Sequence, residues 1–496
     1  MTNINPLLLT DFYKTIHHAC YVPGMTKLVS YWTPRMTRKE GMDEVVMFGL
    51  QGFIKKYLMD YFNQNFFRVN KTVMLEDYRQ FISNTMGEQY ADTEHIEKLW
   101  DLGYLPIEIK AVKEGMLIPI KVPMIQITNT HPDFAWLVNY LETFISCHIW
   151  QPMTSATIAH YYRGIANEYF AKTCDDNLDP FKASCGDFSM RGMSSLESAE
   201  SSGAGHLLSF ANTATIPAIK YLEKYYRADT RKEIVGRGAP STEHSVMCSY
   251  GKENEAECYR HLITEVYPNG NLSIVSDTYD YWNLITDTLA NLKTEIMNRD
   301  GKIGIRGDSG DPVDIICGLQ NTTTLLDSDN PAYKGTVELL WDIFGGTINS
   351  KGYKVLDPHV GAVYGDSITP ERCREIYRRL EAKGFAACNV SLGIGSYTYQ
   401  YNTRDTFGFA LKATHCVVDG KERFIFKEPK TDTGNFKKSQ KGMCVVYENE
   451  GEITYSDHLT IQEAETDGSN LLEPVFRNSK LLREQSLAEI RSILNK

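Results

Sequence analysis

Residues 302–312 read KIGIRGDSGDP, a short apolar run that ends in glycine, arginine and aspartate. The same design occurs three more times, in LSIVSDTYD (272–280), GAVYGDS (361–367) and CNVSLGIGS (388–396). Such runs, alternating with helical blocks, are typical of βα units around a parallel sheet or barrel. The strand ends of a β/α barrel meet at one mouth, so these polar residues are expected to line a shared pocket. For any single run, a turn or a helix cap is an equally good interpretation.

The pattern along the chain predicts three segments. Residues 1–150 mix amphipathic helices with β-like runs such as LPIEIKAV (105–112), as an α/β accessory domain does. Residues 151–385 carry the βα units of the predicted catalytic barrel. Residues 386–496 contain a predicted hairpin, MCVVYENEGEITYSD (443–457), and are expected to complete the site and rejoin the accessory domain.

Composition restricts the class of protein. The chain has 496 residues, of which 42% are hydrophobic and 23% charged, and this is typical of an enzyme-sized globular chain. We see no secretion signal and no apolar run long enough for a membrane span, so a cytoplasmic protein is expected. The net charge of -11 argues against a nucleic-acid partner. The 11 cysteines form no Cys-x-x-Cys pair, which favours neither a disulfide framework nor a zinc site.

Arg306 and Asp308 indicate the chemistry of the expected pocket. A guanidinium holds a phosphate or carboxylate with two parallel hydrogen bonds, and a carboxylate accepts hydrogen bonds from sugar hydroxyls. Gly365 and Asp366 repeat the arrangement, and residues 393–396 offer backbone N–H groups to a phosphate. The pattern therefore favours a phosphorylated ribose. It matches neither a dinucleotide fingerprint, nor a nucleoside-triphosphate loop, nor the elbow of a serine hydrolase.

His244 stands apart from the other histidines. It lies among small residues in APSTEHSVMC (239–248), just before an apolar run, a context that suits a reactive imidazole at a strand end. A hydrogen-bonded structural histidine is the more common role. The remaining histidines show no metalloprotease spacing, so no metal bound directly by the protein is predicted.

Seven ordered motifs resemble those of the nicotinamide phosphoribosyltransferases, especially bacterial and phage-type members. They are LLLTDFYKTIHH (7–18), DFSMRGMSS (187–195), STEHS (241–245), VSDTYD (275–280), IRGDSGDP (305–312), VYGDS (363–367) and GSYTYQYNTRDTFGFALKAT (395–414). The resemblance covers nearly the whole chain and is weaker for the nicotinate phosphoribosyltransferases. It implies an α/β fold of the type II phosphoribosyltransferases, with an irregular β/α barrel and an α+β domain formed from N- and C-terminal segments. It also implies a homodimer with active sites at the subunit interface.

The resemblance assigns roles to individual residues. The pyridine ring of nicotinamide would stack between Phe188 of one subunit and Tyr13 of the other. Other implied contacts are Arg191, Asp11 and Arg306 near nicotinamide, Asp308, Gly365, Asp366, Gly395 and Ser396 at the ribose and 5′-phosphate, and Arg35, Arg404, Lys412 and Lys427 at the pyrophosphate. Asp187 would support the pocket, and Mg²⁺ would bridge the substrate phosphates.

The implied catalytic residues are His244, Asp277 and Asp308. In this family the histidine is phosphorylated by ATP, here as a co-substrate, and Asp277 would orient its ring. The implied reaction transfers a phosphoribosyl group from phosphoribosyl pyrophosphate to nicotinamide. Its products are nicotinamide mononucleotide and pyrophosphate, for NAD salvage.

Ala214 departs from the family pattern. It stands where family members usually have an aspartate that accepts a hydrogen bond from the carboxamide of nicotinamide. Losing a buried acceptor costs about 1–3 kcal/mol, which leaves the preference between nicotinamide and nicotinate open.

Two alternatives to this reaction stay open. One is a transferase that uses ADP-ribose pyrophosphate to form NAD directly, with an open aromatic pocket beyond Ser396, Tyr397 and Tyr399. The more distant one is a non-catalytic dimer that senses a ligand.

Overall fold

The computed structural model describes residues 4–320, 330–427 and 440–495. Its residues cluster in two compact units. Unit 1 comprises Met1–Thr157, Tyr221–Ala228 and Asn402–Lys496, and unit 2 comprises Ile158–Lys220 and Asp229–Tyr401. None of the helices in the described ranges combines the length and the apolar character that a membrane span requires.

Nineteen strands are found in the described ranges. They are β1 (Met25–Thr33), β2 (Glu44–Val46), β3 (Ile107–Ala111), β4 (Leu117–Pro119), β5 (Ile125–Asn129), β6 (Cys185–Asp187), β7 (Asn212–Thr213), β8 (Leu272–Val275), β9 (Ile303–Gly307), β10 (Gly346–Ile348), β11 (Lys354–Leu356), β12 (Val360–Tyr364), β13 (Val390–Ile394), β14 (Ala410–Val418), β15 (Lys421–Phe424), β16 (Met443–Asn449), β17 (Glu452–Leu459), β18 (Glu473–Arg477) and β19 (Lys480–Leu481).

The α-helices of the described ranges are distributed along both units. They are α1 (His17–Cys20), α2 (Leu50–Phe53), α3 (Lys71–Met86), α4 (Glu94–Leu102), α5 (Ala135–Tyr140), α6 (Glu142–Thr173), α7 (Pro180–Ala183), α8 (Leu196–His206), α9 (Ile216–Tyr225), α10 (His244–Ser249), α11 (Glu255–His261), α12 (Tyr281–Asn283), α13 (Lys293–Met297), α14 (Pro312–Cys317), α15 (Gly335–Phe344), α16 (Pro370–Ala382), α17 (Ser396–Tyr399), α18 (Ile461–Thr466) and α19 (Leu487–Leu494).

Unit 2 is built on a curled parallel sheet. Its strand order is β7-β6-β13-β12-β9-β8, and every neighbouring pair is parallel. Single parallel bridges join Asn212 to Arg237 and Ser241 to Ser273, so the segment 237–241 contacts both edge strands. This arrangement confirms the expected irregular β/α barrel. The four sequence runs become the adjacent strands β8, β9, β12 and β13, so their polar ends lie at one edge.

Some acidic residues of these runs are helix caps. Asp280 accepts a hydrogen bond from the N–H of Asn283 at the start of α12, and Asp311 accepts from Val313 at the start of α14. A carboxylate at this position satisfies a backbone donor that the helix leaves free. The cap interpretation is therefore correct for these two aspartates, whereas Asp277 and Asp308 face other polar groups of the barrel mouth.

Unit 1 contains a seven-stranded antiparallel sheet. The order is β15-β14-β1-β5-β3-β18-β19, so strands from both ends of the chain share one sheet. Its apolar face buries residues such as Trp32, Ile109 and Phe476 completely. The predicted strand 105–112 is confirmed as β3, and the predicted hairpin as the antiparallel pair β16 and β17.

Candidate active site

The ring of Phe188 packs against three glycines at the strand ends of unit 2, Gly186, Gly365 and Gly393. A Cβ atom at Gly393 would lie 2.7 Å from Cε2 of this ring, and one at Gly186 or Gly365 would lie 3.3 Å from ring atoms. The glycines therefore let the ring settle close to the backbone. Phe188 is nevertheless 37% exposed, so part of its surface stays open. An exposed aromatic surface held this way is suited to stacking against a flat ring.

Asp187 holds the backbone next to this ring. The residue is fully buried and one carboxylate oxygen accepts from the N–H of Ser189 at 2.9 Å and from its hydroxyl at 2.6 Å. The other oxygen accepts from the hydroxyls of Thr213 at 3.2 Å and Thr215 at 2.6 Å. A buried carboxylate with four donors is stable and rigid. Asp187 thus supports the position of Phe188 without being open to a ligand.

His244 and Asp277 form a hydrogen-bonded pair. Nε2 of His244 lies 3.1 Å from Oδ1 of Asp277, and the imidazole side chain is 47% exposed. Burial raises the pKa of Asp277, but hydrogen bonds from Ser309, from the N–H of Asp308 and from His244 outweigh it and hold the pKa below its usual value. The carboxylate therefore stays ionised and accepts from Nε2–H, which leaves the lone pair of Nδ1 available.

Arg306 is held by three groups of the barrel mouth. Its Nη1 donates to Oγ of Ser241 at 2.6 Å, and its Nη2 donates to the carbonyl of Thr242 at 3.0 Å. Its Nε lies 3.4 Å from Oδ2 of Asp308. Burial, partly offset by Arg306, raises the pKa of Asp308. The guanidinium is thus fixed in one orientation at the end of β9 and carries positive charge to the mouth.

Asp366 follows β12, which pairs with β9, and Ser396 follows β13, the next strand of the sheet. Asp366 is exposed and accepts from the hydroxyl of Ser367 at 2.7 Å. A Cβ atom built at Gly395, before Ser396, would meet no atom within 4 Å. The backbone here borders open space, as a phosphate contact would require.

The region around Ser396 carries three tyrosines in different environments. Tyr399 is fully buried, and its hydroxyl lies 2.7 Å from Nδ1 of His206. Tyr397 and Tyr401 are exposed, and their rings stack with centroids 5.3 Å apart. Tyr399 therefore belongs to the core of unit 2, and only Tyr397 of the two predicted tyrosines is open to solvent.

Ala214 also lies at the mouth. Its N–H donates to the carbonyl of Asp187 at 2.8 Å, and the residue is exposed. The hydroxyl of Ser189 does not replace the missing acceptor, because it is almost fully buried and donates to Asp187. The position thus offers space without a side-chain acceptor of its own.

Unit 1 contains a second group of the predicted site residues. Tyr13 is 55% exposed and borders a cavity of about 230 Å³ that Asp11, Trp150 and Arg404 also line. Asp11 accepts from the hydroxyl of Thr143 at 2.6 Å. Burial and the negative charge of Asp11 raise the pKa of the Tyr13 hydroxyl, which therefore stays neutral at physiological pH.

The predicted pyrophosphate cations lie in unit 1. Nε of Arg35 donates to the carbonyl of Gly408 at 3.0 Å, and burial followed by the charge of Arg404 lowers the pKa of its guanidinium. Nζ of Lys412 lies 3.7 Å from Glu142. Arg35 and Arg404 are thus close enough to repel each other, which an anion between them would relieve. Lys427 is exposed and is the last described residue before the gap.

The structure therefore brings the predicted residues together in two groups. Unit 2 holds Phe188, Arg191, His244, Asp277, Arg306, Asp308, Gly365, Asp366, Gly395 and Ser396, and unit 1 holds Asp11, Tyr13, Arg35, Arg404, Lys412 and Lys427. Arg191 is exposed on a short helical turn beyond Phe188. Sequence reasoning missed Ser241 and Thr242 as partners of Arg306, although both stand in the quoted STEHS motif.

Comparisons with known proteins agree with this geometry. The profile of the “Nicotinate phosphoribosyltransferase (NAPRTase) family” matches residues 183–480, and that of the “Nicotinamide phosphoribosyltransferase, N-terminal domain” matches residues 5–109. Nicotinamide phosphoribosyltransferase of Acinetobacter baylyi is 45% identical, with 99% of this chain and 97% of the relative covered. The protein of that name from Xanthomonas campestris is 32% identical over 98% of this chain and 97% of its own length.

Two solved structures share the fold at low identity. Nicotinate-nucleotide pyrophosphorylase from Pyrococcus furiosus has a TM-score of 0.57 at 13% identity and covers 99% of this chain and 95% of its own. Human nicotinic acid phosphoribosyltransferase has a TM-score of 0.51 at 15% identity, with coverages of 98% and 93%.

A curled parallel sheet with these strand-end groups is the architecture of a type II phosphoribosyltransferase. The relatives match along its whole length, and the chain belongs to the nicotinate phosphoribosyltransferase family. It is an enzyme, a pentosyltransferase, and its resemblance to the nicotinamide phosphoribosyltransferases is confirmed.

Proposed function

We propose that this enzyme transfers a phosphoribosyl group from phosphoribosyl pyrophosphate to nicotinamide. One observation carries the proposal: a Cβ atom at Gly365 would lie 2.8 Å from Oδ1 of Asp308 and 3.3 Å from Cδ2 of Phe188. A stacking surface and a carboxylate for sugar hydroxyls thus meet around one glycine. The activity named for the full-length relatives supports the same reaction.

The proposed transfer forms one bond and breaks one bond at C1 of the ribose. The ring nitrogen of nicotinamide forms a bond to C1 of the ribose, and the bond from C1 to the pyrophosphate oxygen breaks, so that its electron pair leaves with pyrophosphate. The configuration at C1 inverts. By the resemblance to the family, Asp308 and Asp366 hold the ribose hydroxyls, and Arg35, Arg404 and Lys412 stabilise the charge that develops on the leaving group.

Mg²⁺ is the metal that this reaction implies, and the residues present fit it. The pKa of Asp308 is raised by burial and also by the neighbouring charges of Asp277 and Asp366, so three carboxylates lie within electrostatic reach. Oxygen-rich, acidic surroundings suit this ion, which keeps several waters and binds through substrate phosphates. When bound, it would neutralise pyrophosphate charge.

His244 is proposed to accept a phosphoryl group from ATP. Its Nδ1 would attack the γ-phosphorus, the bond to the bridging oxygen would break, and ADP would leave. The exposed ring and the hydrogen bond from Nε2 to Asp277 support this role. The phosphorylated ring beside the substrate would then improve the capture of phosphoribosyl pyrophosphate and of Mg²⁺.

The proposed assembly is a homodimer. Its basis is the resemblance to the family, in which Tyr13 of one subunit stacks on nicotinamide opposite Phe188 of the other. The exposure of both rings supports it, because each aromatic surface is available for stacking.

A second candidate uses ADP-ribose pyrophosphate and forms NAD directly. The exposed stacked pair of Tyr397 and Tyr401, next to Ser396, favours it, since an aromatic surface beyond the 5′-phosphate position would seat an adenine.

A product assay separates these readings. The enzyme is incubated with nicotinamide, Mg²⁺ and ATP, with phosphoribosyl pyrophosphate in one tube and ADP-ribose pyrophosphate in another, and products are identified by mass spectrometry. We expect nicotinamide mononucleotide in the first tube. NAD in the second tube with little product in the first would establish the second candidate. No product in either would favour a ligand-sensing dimer.

A further inference from the structure

Unit 1 contains a cluster of two histidines and one aspartate outside the proposed active-site residues. His18 lies on α1, Asp92 precedes α4 and His95 lies in its first turn. One potential ligand atom from each residue lies within 4.8 Å of the other two. Nε2 of His18 is 3.3 Å and Nδ1 of His95 is 3.7 Å from Oδ2 of the aspartate. These separations are similar to those between neighbouring ligands of one ion, and both nitrogens face that ion once the two rings turn out of their parallel stack.

The environment of His95 indicates a ligand. Its side chain is 92% buried, being 8% exposed, and neither ring nitrogen has a hydrogen-bond partner among the described residues. A buried imidazole without a hydrogen bond is costly, and a metal bond satisfies one of its nitrogens.

His18 is already oriented for binding. Its Nδ1 lies 3.0 Å from the carbonyl of Thr15, so Nδ1–H donates and the lone pair of Nε2 points away from that bond. A backbone carbonyl that fixes the tautomer in this way is the usual support of a metal-bound histidine. Asp92 uses Oδ1 to accept from the N–H of Glu94 at 3.1 Å, while Oδ2 faces the two rings.

The two histidine rings of the cluster are closely packed. The rings of His18 and His95 stack with centroids 3.6 Å apart, and Trp136 contacts both rings edge-on. The nearby cation Arg79 donates to the hydroxyl of Thr93 at 2.9 Å. These packed neighbours limit how far the donor atoms can spread.

We propose that His18, Asp92 and His95 bind a divalent transition-metal ion such as Zn²⁺. Two imidazole nitrogens and one carboxylate are typical protein ligands of zinc, and this set disfavours Mg²⁺, which prefers oxygen. The ion would tie α1 to the start of α4. Tyr13 lies five residues before His18, so the same ion would restrain the segment that carries this tyrosine.

The test measures metal binding rather than turnover. Purified full-length protein is stripped of metal, and Co²⁺, which has visible absorption, is titrated in before competition with Zn²⁺. We expect one equivalent of Co²⁺ to bind. It should stay bound in a roughly 100-fold excess of Mg²⁺, because nitrogen ligands select transition metals over Mg²⁺ by a factor on this order. Absence of a stoichiometric spectrum from the wild-type protein overturns the proposal.

Variants locate the ion. Asp92→Asn keeps the Oδ1 acceptor and replaces an exposed side chain, so the fold should be retained; His95→Gln is the second variant. We expect each to weaken metal affinity by about tenfold or more. The control is His458→Asn, because His458 also pairs with a carboxylate, that of Asp457, but lies outside the cluster, so the change should leave affinity unchanged. Equal affinity in all three variants overturns the proposal.

Cys20 is the competing donor, since its thiol is exposed two residues after His18. Cys20→Ser should retain the affinity of the wild-type protein. Loss of binding in this variant, together with full binding in Asp92→Asn, would place the metal on the thiol and overturn the proposal. None of these readouts depends on the proposed transferase reaction.

Discussion

Asp277 joins two neighbouring strand ends of the barrel: one oxygen lies 3.1 Å from Nε2 of His244, and the other accepts from the N–H of Asp308 at 3.1 Å. The side chain that orients the histidine thus also positions the backbone of the sugar-binding carboxylate. Activation by ATP and capture of the ribose are therefore expected to depend on the same residue.

Replacing Asp277 with asparagine tests this relationship. The change keeps the shape but removes the charge, and a hydrogen bond to a charged group contributes about 1.5–3 kcal/mol, so ATP-stimulated turnover should fall about tenfold or more. Turnover is measured with and without ATP, and phosphohistidine is followed by ³¹P NMR. Asp280→Asn is the control, because Asp280 ends the same sequence run but caps α12. An equal loss with and without ATP would contradict the orienting role.

Gly393→Ala should displace the Phe188 ring from its position against the backbone. The added Cβ would overlap ring atoms, and overpacking of this kind costs about 1–3 kcal/mol. We expect KM for nicotinamide to rise about tenfold, in line with that cost. Gly164→Ala in α6 is the control, since its Cβ meets no atom within 4 Å and the change should leave KM unaltered. An unchanged KM in Gly393→Ala would show that nicotinamide binding does not depend on the packing of the Phe188 ring against Gly393.

Ala214→Asp should restore a side-chain acceptor at the barrel mouth. A regained hydrogen bond of about 1–3 kcal/mol corresponds to a preference for nicotinamide over nicotinate that rises about fivefold to a hundredfold. The measurement is kcat/KM for both bases. Ala214→Asn separates the effects, because it supplies an acceptor without repelling the carboxylate of nicotinate. Identical ratios in all three proteins would mean that the base binds elsewhere.

His206 should make stability depend on pH. Burial lowers its pKa to about 4, while in the unfolded chain the imidazole titrates near its ordinary pKa of 6.5. The unfolded state therefore binds more protons between these values. The free energy of unfolding should fall as pH drops from 6.5 towards 4, by at most about 1.4 kcal/mol per pH unit from this group.

Denaturant unfolding at several pH values measures this slope. His206→Gln should reduce the slope, and His95, whose pKa burial lowers to about 3, should account for part of what remains. His458→Asn is the control, because His458 is exposed and its replacement should leave the slope unchanged. A slope that is the same in His206→Gln and wild-type protein would exclude His206 as its source.

Mixing two inactive variants tests the proposed dimer. In Tyr13→Ala and Phe188→Ala proteins each site loses one stacking ring. If the rings come from different subunits, mixed dimers contain one intact site, and random exchange in a two-fold dimer restores about a quarter of wild-type activity. Activity is measured after joint refolding. No recovery, with dimers present by light scattering, would indicate that both rings act within one subunit.

Several features could be predicted from local sequence because they depend on neighbours along the chain. The apolar runs before Asp277, Asp308 and Asp366 predict parallel strands, and the pairing of β16 with β17 follows from alternating residues around a turn. The polar strand ends predict a common mouth. What could not be predicted is which acidic residues face it, because a cap such as Asp311 and a site residue such as Asp308 look alike in sequence.

Long-range contacts explain the remaining differences. Arg306 is held by Ser241 and Thr242 more than 60 residues away, and Tyr399 is buried against His206 rather than open. His18 lies beside Asp92 and His95 only through a tertiary contact between segments that are more than 70 residues apart in sequence. Neither the hydrophobic periodicity nor the spacing of motifs in the sequence predicts such contacts.

The fold class, the order of the strands along the chain and the residue types at the strand ends follow from hydrophobic pattern and local backbone preference, so they can be predicted from the amino-acid sequence. The three-dimensional fold selects which of those residues face the mouth, places Phe188 on glycines, and brings two histidines and an aspartate together in unit 1. These arrangements depend on packing between distant segments, because burial and hydrogen-bond satisfaction there select one set of neighbours.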